Sequence, residues 1–313
     1  MNARQPNIIL ITVDSLRADH LGCYGYTRPT SPNIDHFASD SFLFTHAFSS
    51  GPNTPHAFPA IMACRNSLMA KRLGLFDAPL TLAEFLQSTG YATIAFNAAN
   101  PYISRFFHYD RGFDEFYDYL DFSIPTEKSK TAASEFINSP NASILDNEPC
   151  LNITLPDLDL EHYLISEENI RRKACLESAI NSDIFERLQR FSGEAFFLWI
   201  HYMDTHYPYL PQLIPQQELG IRPISKEENF HLNTRIRENM KLAPEMLHRT
   251  LELYDAAIRQ LDSKLGEFFY FLKALNLYDS SLLIVTADHG EEFLEHADLQ
   301  HKSKLFDELI HVP

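Results

Sequence analysis

The stretch NIILITVDS, residues 7–15, places an apolar run directly before an acidic side chain. Residues 7–13 carry no charge and are rich in Ile, which is typical of a strand that is buried on both faces. Strands of this kind belong to parallel sheets with helices on both sides. Asp14 then follows the carboxyl end of the strand, where ligands bind in open α/β sheets.

Three more apolar runs predict buried strands of the same sheet: YATIAF (91–96), AFFLWIHY (195–202) and SLLIVTA (281–287). Helical patterns alternate with them. Ser31 before Pro32 predicts one helix start, and Thr81 with Glu84 predicts a capping box at another. Strands that alternate with helices predict an α/β sandwich around a largely parallel sheet.

The longest predicted helix covers about 244–275. Its apolar residues recur at spacings of four and three from Leu247 to Leu272, which gives one apolar stripe. Between about 123 and 164 the pattern stops, and the residues are polar and turn-rich. We interpret that part as a surface insertion, either a variable solvated loop or a contributor of substrate contacts.

The composition excludes several classes of partner. The formal net charge is −16, from 26 basic and 42 acidic residues, which argues against binding to nucleic acid or anionic lipid. It leaves an anionic substrate possible, since a metal ion reverses the local field of a pocket. No apolar run reaches a membrane-spanning length, and the first residues predict a strand rather than a signal peptide. The four cysteines lack metal or disulfide spacing, so we expect reduced thiols and a cytoplasmic protein.

Polar side chains follow three of the predicted strands. Asp14 follows the first, and Asp288 and His289 follow the last. The run at 195–202 and the residues just after it carry three polar candidates, His201, Asp204 and His206. A single aspartate after a strand is usually a turn or cap residue, and a single histidine is usually a core residue. Their joint occurrence favours a site in which Asp14, Asp288 and His289 bind a divalent cation such as Mn, Zn, Mg or Ca.

The segment SSGPNTPHAFPAIMACR, residues 49–65, contains no Lys, Asp or Glu. Thr54 lies in it between Asn53 and Pro55, on a turn-rich stretch that leads into apolar residues. The segment is either an ordinary loop or the place where a nucleophilic hydroxyl is presented to a substrate.

Taken together, these stretches resemble the sulfatase family of the alkaline phosphatase superfamily. The resemblance is carried by PNIILITVDSLRADHLGCYGY, by FFLWIHYMDTHYPY, which is similar to the family's D-P-H-x-P-Y segment, and by the long helix with its ADHG strand end. It implies an alkaline-phosphatase-like α/β/α sandwich around a largely parallel central sheet. It further implies one catalytic domain over 1–313, without the C-terminal subdomain into which family chains usually continue after the VP dipeptide.

The resemblance also implies roles for individual residues. The family's metal ligands fall on Asp14, Asp288 and His289. Its leaving-group histidine falls on His206, and a residue that binds substrate oxygens falls on His301. Counting back from AIMACR places the nucleophile at Thr54, and the position of a substrate-binding histidine is occupied by Asn100.

Three departures from the family pattern bear on the substrate. The sulfatase motif C/S-x-P-x-R, whose first residue is oxidised to formylglycine, is replaced by residues 54–58, TPHAF. The second aspartate of the family's opening pair is Ser15, and the G-K-W-H stretch is replaced by NAAN at 97–100. Threonine at the nucleophile position resembles the family's phosphoglycerol and phosphoethanolamine transferases.

These features predict a metal-dependent hydrolase of phosphate or sulfate esters, with one divalent cation and a small-molecule or saccharide-linked anionic substrate. A phosphodiester or phosphonate ester is favoured, because a threonine sulfate lacks the second hydroxyl through which formylglycine expels sulfate. Sulfate ester hydrolysis is the alternative. A non-catalytic relative or fragment that binds a ligand or partner is the other reading. The sequence leaves the oligomeric state open.

Overall fold

The computed structural model describes residues 5–69, 72–120, 179–191, 195–237 and 241–313. The insertion predicted near 123–164 lies outside these ranges. The strands are β1 (Asn7–Val13), β2 (Ala47–Phe48), β3 (Ala92–Asn97), β4 (Glu115–Tyr117), β5 (Phe196–Tyr202), β6 (Ser281–Ala287), β7 (Glu292–Phe293), β8 (Leu299–Gln300) and β9 (His311–Val312). The helices are α1 (Pro32–Ser39), α2 (Thr54–Ala63), α3 (Leu82–Ser88), α4 (179–189), α5 (Leu213–Glu218), α6 (Lys226–Arg237), α7 (Pro244–Ala274) and α8 (Asp307–Ile310).

Five strands form the central sheet in the order β4-β3-β5-β1-β6, and every pair is parallel. The register pairs Val13 with Tyr202 of β5 on one side and with Ala287 of β6 on the other. Asp14 after β1 and Asp288 after β6 therefore stand level at the same edge of the sheet. The other strand pairs lie outside it, β2 with β9 and β7 with β8.

Helices cover both faces of the sheet, as the α/β/α sandwich requires. On one face α7 buries its apolar stripe, and α1 packs on α7 through the stacked rings of Phe37 and Phe269, 4.8 Å apart. On the other face α2 and α3 cover an aromatic layer that includes Phe58 and Trp199, with ring centroids 5.6 Å apart. The predicted fold class is confirmed.

Most of the predicted elements are present with small shifts of their ends. The first and last runs form strands at the predicted bounds, the other two strands begin one residue later, and α7 ends one residue earlier. The capping box is confirmed, since Glu84 N donates to Thr81 Oγ1 at 3.0 Å and Thr81 N donates to Glu84 Oε2 at 2.8 Å.

The predicted helix start is confirmed, since Ser31 is the N-cap of α1 and Pro32 is its first residue; the Ser31 hydroxyl donates to the Asp35 carboxylate at 2.9 Å instead of bonding the helix backbone. One local prediction is wrong. The last apolar run is not buried on both faces. β6 is the final strand in the order of the described sheet, so Leu282 and Ile284 are exposed.

Cys23 and Cys64 are free thiols, and the other two cysteines lie outside the described ranges. Across the helices that the structure describes, none combines the length and the apolar character that a membrane crossing demands.

Candidate active site

Three side chains predicted to bind a metal meet at the carboxyl ends of β1 and β6. Asp14, Asp288 and His289 are fully buried, and their donor atoms lie within 4.8 Å of one another. His289 Nε2 is 3.7 Å from Asp14 Oδ1 and 3.5 Å from Asp288 Oδ2. The sheet register explains this meeting of residues that are distant in sequence.

The hydrogen bond on the far side of the ring fixes the tautomer of His289. Its Nδ1 lies 2.8 Å from the carbonyl oxygen of Gly290, and a carbonyl only accepts, so Nδ1 carries the hydrogen. Burial, followed by the charge of His301, lowers the pKa of His289 to about 4. The ring is therefore neutral at pH 7, and the lone pair of Nε2 faces the two carboxylates. This is the form of histidine that binds metals.

Asp14 and Asp288 are two neighbouring buried carboxyl groups whose pKa values shift in opposite directions. Burial and the nearby charge of Asp14 raise the pKa of Asp288 to about 8. Burial also disfavours the charge on Asp14, but His206 and the other nearby histidines hold its pKa well below the usual value. Asp288 Oδ1 accepts from the backbone N–H groups of Ser15 and His289, whereas Asp288 Oδ2 is buried without a hydrogen-bond partner.

An orphaned carboxylate oxygen, a second buried carboxylate and an imidazole lone pair fit a divalent cation. The positive charge of such an ion would offset both the cost of burying two carboxylates and their mutual repulsion. Asp14, Asp288 and His289 are the one such group that we find within the part of the chain that the structure describes.

Thr54 lies beside this cluster. Its Oγ1 is 3.3 Å from Asp14 Oδ2 and 3.4 Å from His289 Nε2, and the residue is 4% exposed. Thr54 is the first residue of α2, whose N-cap is Asn53. Thr54 therefore stands at the partly positive N-terminus of this helix.

The two remaining catalytic candidates, His206 and His301, have ring centroids 5.4 Å apart, and the His301 ring is 4.5 Å from that of His289. His206 Nδ1 bonds the carbonyl of Tyr207, whereas His301 Nδ1 lies 3.1 Å from the buried carboxylate of Glu291. Burial disfavours a charged ring, but the ion pair with Glu291 raises the pKa of His301 to about 9. His301 is therefore an imidazolium at pH 7.

The loop that carries His206 is held at three points. Asp204 Oδ1 accepts from Lys264 and Gln260 of α7, and Thr205 Oγ1 donates to the carbonyl of Asp14. Farther along, the Tyr209 hydroxyl donates to Glu291 Oε2 at 3.1 Å. The same carboxylate thus contacts His301 and the end of the His206 loop.

Asn100 contacts one of the three candidate metal ligands directly. Its Nδ2 donates to Asp14 Oδ2 at 2.7 Å, and its Oδ1 accepts from the backbone N–H of Tyr102 at 3.0 Å. Asn97 bonds the backbone of the same loop and so fixes the position of Asn100. The role predicted for Asn100 was substrate binding, and the structure places its amide on a predicted metal ligand.

Two residues of this site received no role from the sequence. Glu291 comes two residues after His289, and its signal was the acidic pair that follows Gly290. His201 is the penultimate residue of β5, with Nε2 3.5 Å from Asp14 Oδ2, and its signal was its place in a buried run. Neither signal distinguishes a site residue from a core residue until the sheet order is known.

Comparison with known proteins supplies the family. The sulfatase family model matches residues 6–313. Human iduronate 2-sulfatase is 26% identical over 98% of this chain, and the match spans 58% of that relative's own length. The chain thus covers less than two thirds of the first curated relatives it matches.

Solved structures share the fold. The phosphonate monoester hydrolase of Agrobacterium radiobacter superposes with a TM-score of 0.65 at 18% identity, over 99% of this chain and 67% of that one. The C-terminal periplasmic domain of EcEptC from Escherichia coli, solved in complex with Zn, gives a TM-score of 0.61 at 14% identity, over 100% and 72%. With the family model matched along nearly the whole sequence, the chain belongs to the sulfatase family.

Proposed function

We propose that this protein is a metal-dependent hydrolase of anionic phosphate or sulfate esters that uses Thr54 as its nucleophile. The observation that carries the proposal is the position of Thr54 Oγ1, 3.3 Å from Asp14 and 3.4 Å from His289, within a buried group of metal-type ligands. A hydroxyl at a helix N-terminus beside such a group is placed for attack on an anionic centre.

Asp14, Asp288 and His289 would hold the divalent cation. When bound, the cation supplies positive charge that offsets the negative charge of the substrate oxygens and lowers the pKa of a neighbouring hydroxyl. Two carboxylates and one imidazole suit Zn or Mn, while Mg and Ca prefer oxygen ligands alone. The structure of EcEptC was solved with Zn.

The protein's own groups account for the rest of the reaction. Thr54 releases its hydroxyl proton to solvent, its Oγ1 attacks the phosphorus in line, and a phosphorus–oxygen bond forms while the bond to the leaving oxygen breaks. His206 gives a proton to that leaving oxygen as general acid. The His301 imidazolium, held by Glu291, stabilises the negative oxygens of the transition state. His206, now neutral, takes a proton from a water molecule whose oxygen attacks phosphorus. The bond from phosphorus to Thr54 Oγ1 then breaks, and both groups return to their starting protonation states.

The choice of Thr54 favours a phosphodiester or phosphonate ester. A phosphorylated threonine can be attacked at phosphorus by water, whereas a threonine sulfate has no second hydroxyl through which to collapse. The name of the Agrobacterium radiobacter neighbour agrees with this substrate class. Sulfate esters are the second candidate, and the match to human iduronate 2-sulfatase favours them.

A substrate panel tests the proposal. Nitrophenyl sulfate, a phosphate monoester, a phosphate diester and a phosphonate ester are assayed with Mn, Zn, Mg and Ca. We expect the diester or phosphonate to be turned over fastest, and Thr54→Ala to lose at least ~10²-fold in kcat/KM, as removal of a nucleophile does.

Thr54→Ser is the matched control, because it keeps a hydroxyl at the same position and should retain much more activity than the alanine variant. Full activity in Thr54→Ala would refute the assignment of the nucleophile. Faster turnover of the sulfate would transfer the proposal to sulfatase chemistry.

A further inference from the structure

A chain of buried polar side chains leads from the core of the sheet to Asp14. Trp199 Nε1 donates to Thr12 Oγ1 at 2.9 Å, and Thr12 Oγ1 lies 3.0 Å from His201 Nδ1. His201 Nε2 in turn lies 3.5 Å from Asp14 Oδ2. All four residues are fully buried, where polar groups are costly unless they are paired. This row of polar contacts is therefore a candidate for a role beyond packing.

Asn100 ends on the same carboxylate oxygen. Its Nδ2 lies 2.7 Å from Asp14 Oδ2 and 3.4 Å from His201 Nε2. Its Oδ1 is used by the N–H of Tyr102, so the amide orientation is fixed. His201 of β5 and Asn100 of the loop after β3 thus hold the same oxygen of Asp14.

Two arrangements of the hydrogens satisfy these contacts, and both link His201 to Asp14. The Thr12 oxygen accepts from Trp199, and its own hydrogen goes either to His201 Nδ1 or to the Ile200 carbonyl at 3.3 Å. In the first case His201 Nε2–H points to Asp14 Oδ2. In the second case His201 Nδ1 donates to Thr12, and Nε2 accepts from Asn100 Nδ2 at 3.4 Å, the amide group that also donates to Asp14 Oδ2.

We propose that His201 is a positioning residue for Asp14: together with Asn100 it holds Oδ2, so that the carboxylate keeps its orientation toward Asp288 and His289. The inference rests on the proposed metal site. Partners of this kind orient metal ligands, and their loss typically weakens metal binding by about 10–100-fold.

Two substitutions at position 201 separate this role from packing. The amide nitrogen of glutamine reaches approximately the place of imidazole Nε2, whereas that of asparagine reaches the place of Nδ1. His201→Gln therefore keeps a donor to Asp14, and His201→Asn keeps only the link to Thr12. Affinity for Mn²⁺ and Zn²⁺ is measured by titration calorimetry, and Co²⁺ absorption spectra report the coordination.

We expect His201→Asn to bind the cation about 10–100-fold more weakly than wild type, and His201→Gln to bind within about 3-fold of wild type. Thermal unfolding of the metal-free proteins measures the cost to the fold separately. Wild-type affinity in His201→Asn would overturn the inference. So would an equal loss in both variants that follows their metal-free stability.

If neither variant folds, Thr12→Val and Thr12→Ser replace them, since valine removes the hydroxyl that orients His201 and serine keeps it. Weaker binding in Thr12→Val alone supports the positioning role, and unchanged binding overturns it. A wild-type protein that binds no cation would overturn the proposed metal site itself, and this inference with it.

Discussion

The surroundings of His289 and His301 differ in one respect that decides what each ring can do. The two rings lie 4.5 Å apart at the same edge of the sheet. The Nδ1 of His289 bonds a neutral carbonyl, and the ring is neutral; the Nδ1 of His301 bonds a buried carboxylate, and the ring is cationic. The same side chain is thus neutral in one place and cationic in the other, which suits the roles that we propose for them, a metal ligand and an anion-binding group.

The substitution Asp288→Asn tests the metal-binding role proposed for Asp288 and His289. From a fully buried group the substitution removes one ligand oxygen and the negative charge that Asp288 would carry beside the cation. We expect metal affinity to fall more than ~10²-fold, beyond the loss typical of outer partners, and activity to fall with it. Titration calorimetry and steady-state kinetics measure the two effects.

Asp40→Asn, on the surface at the end of α1, is the control and should match wild type in both measurements. Asp288→Asn that binds the cation with wild-type affinity would show that this cluster is not the metal site.

The cationic half is tested by Glu291→Gln. The amide oxygen still accepts from His301 Nδ1, but the negative charge that holds the imidazolium is lost. We expect kcat/KM at pH 7 to fall by about 10²-fold, because stabilisation of transition-state charge is lost, while metal affinity changes little.

The neighbouring Glu292→Gln is the matched control, because Glu292 is equally buried but pairs with Lys304 instead of a histidine of the site. It should alter stability more than kcat/KM. Were Glu291→Gln to weaken metal binding as strongly as turnover, the division between the two histidines would be lost.

The smallest expected effect comes from Tyr209→Phe. The substitution deletes the hydrogen bond to Glu291 Oε2 and leaves the ion pair with His301 intact. Loss of one buried hydrogen bond should cost about 1–3 kcal/mol of unfolding free energy. We expect only a few-fold fall in kcat/KM, measured with denaturant unfolding alongside kinetics.

Tyr207→Phe provides the comparison, since the Tyr207 hydroxyl bonds the carbonyl of Asn233 rather than Glu291. A similar loss of stability without loss of kcat/KM is expected there. Equal kinetic losses in the two variants would assign the effect to the loop as a whole.

The sequence predicted the elements that apolar periodicity controls. The strands before Asp14 and Asp288 could be predicted because long apolar runs lead directly into polar residues, and α7 could be predicted from its apolar stripe. The three-residue strand β4 was missed, because so short a segment shows no period.

The partners of the site side chains were beyond the sequence for a different reason. Glu291 beside His301, and His201 beside Asp14, are contacts set by sheet order and loop geometry. An acidic residue after a glycine and a histidine in a buried strand look alike whether or not they serve a site. The family resemblance identified Thr54 as a candidate, whereas its contacts with Asp14 and His289 could be seen only in the folded structure.

The central claim is that Thr54 is the nucleophile, and trapping the covalent enzyme tests it most directly. Wild-type protein with its cation is mixed with a nitrophenyl phosphonate, quenched in acid during turnover, digested and analysed by mass spectrometry. We predict that the peptide containing Thr54 gains the mass of the phosphonyl group and that this adduct is absent from Thr54→Ala. A turning-over enzyme that carries the adduct on another residue, or a Thr54→Ala variant with full turnover, would contradict the account.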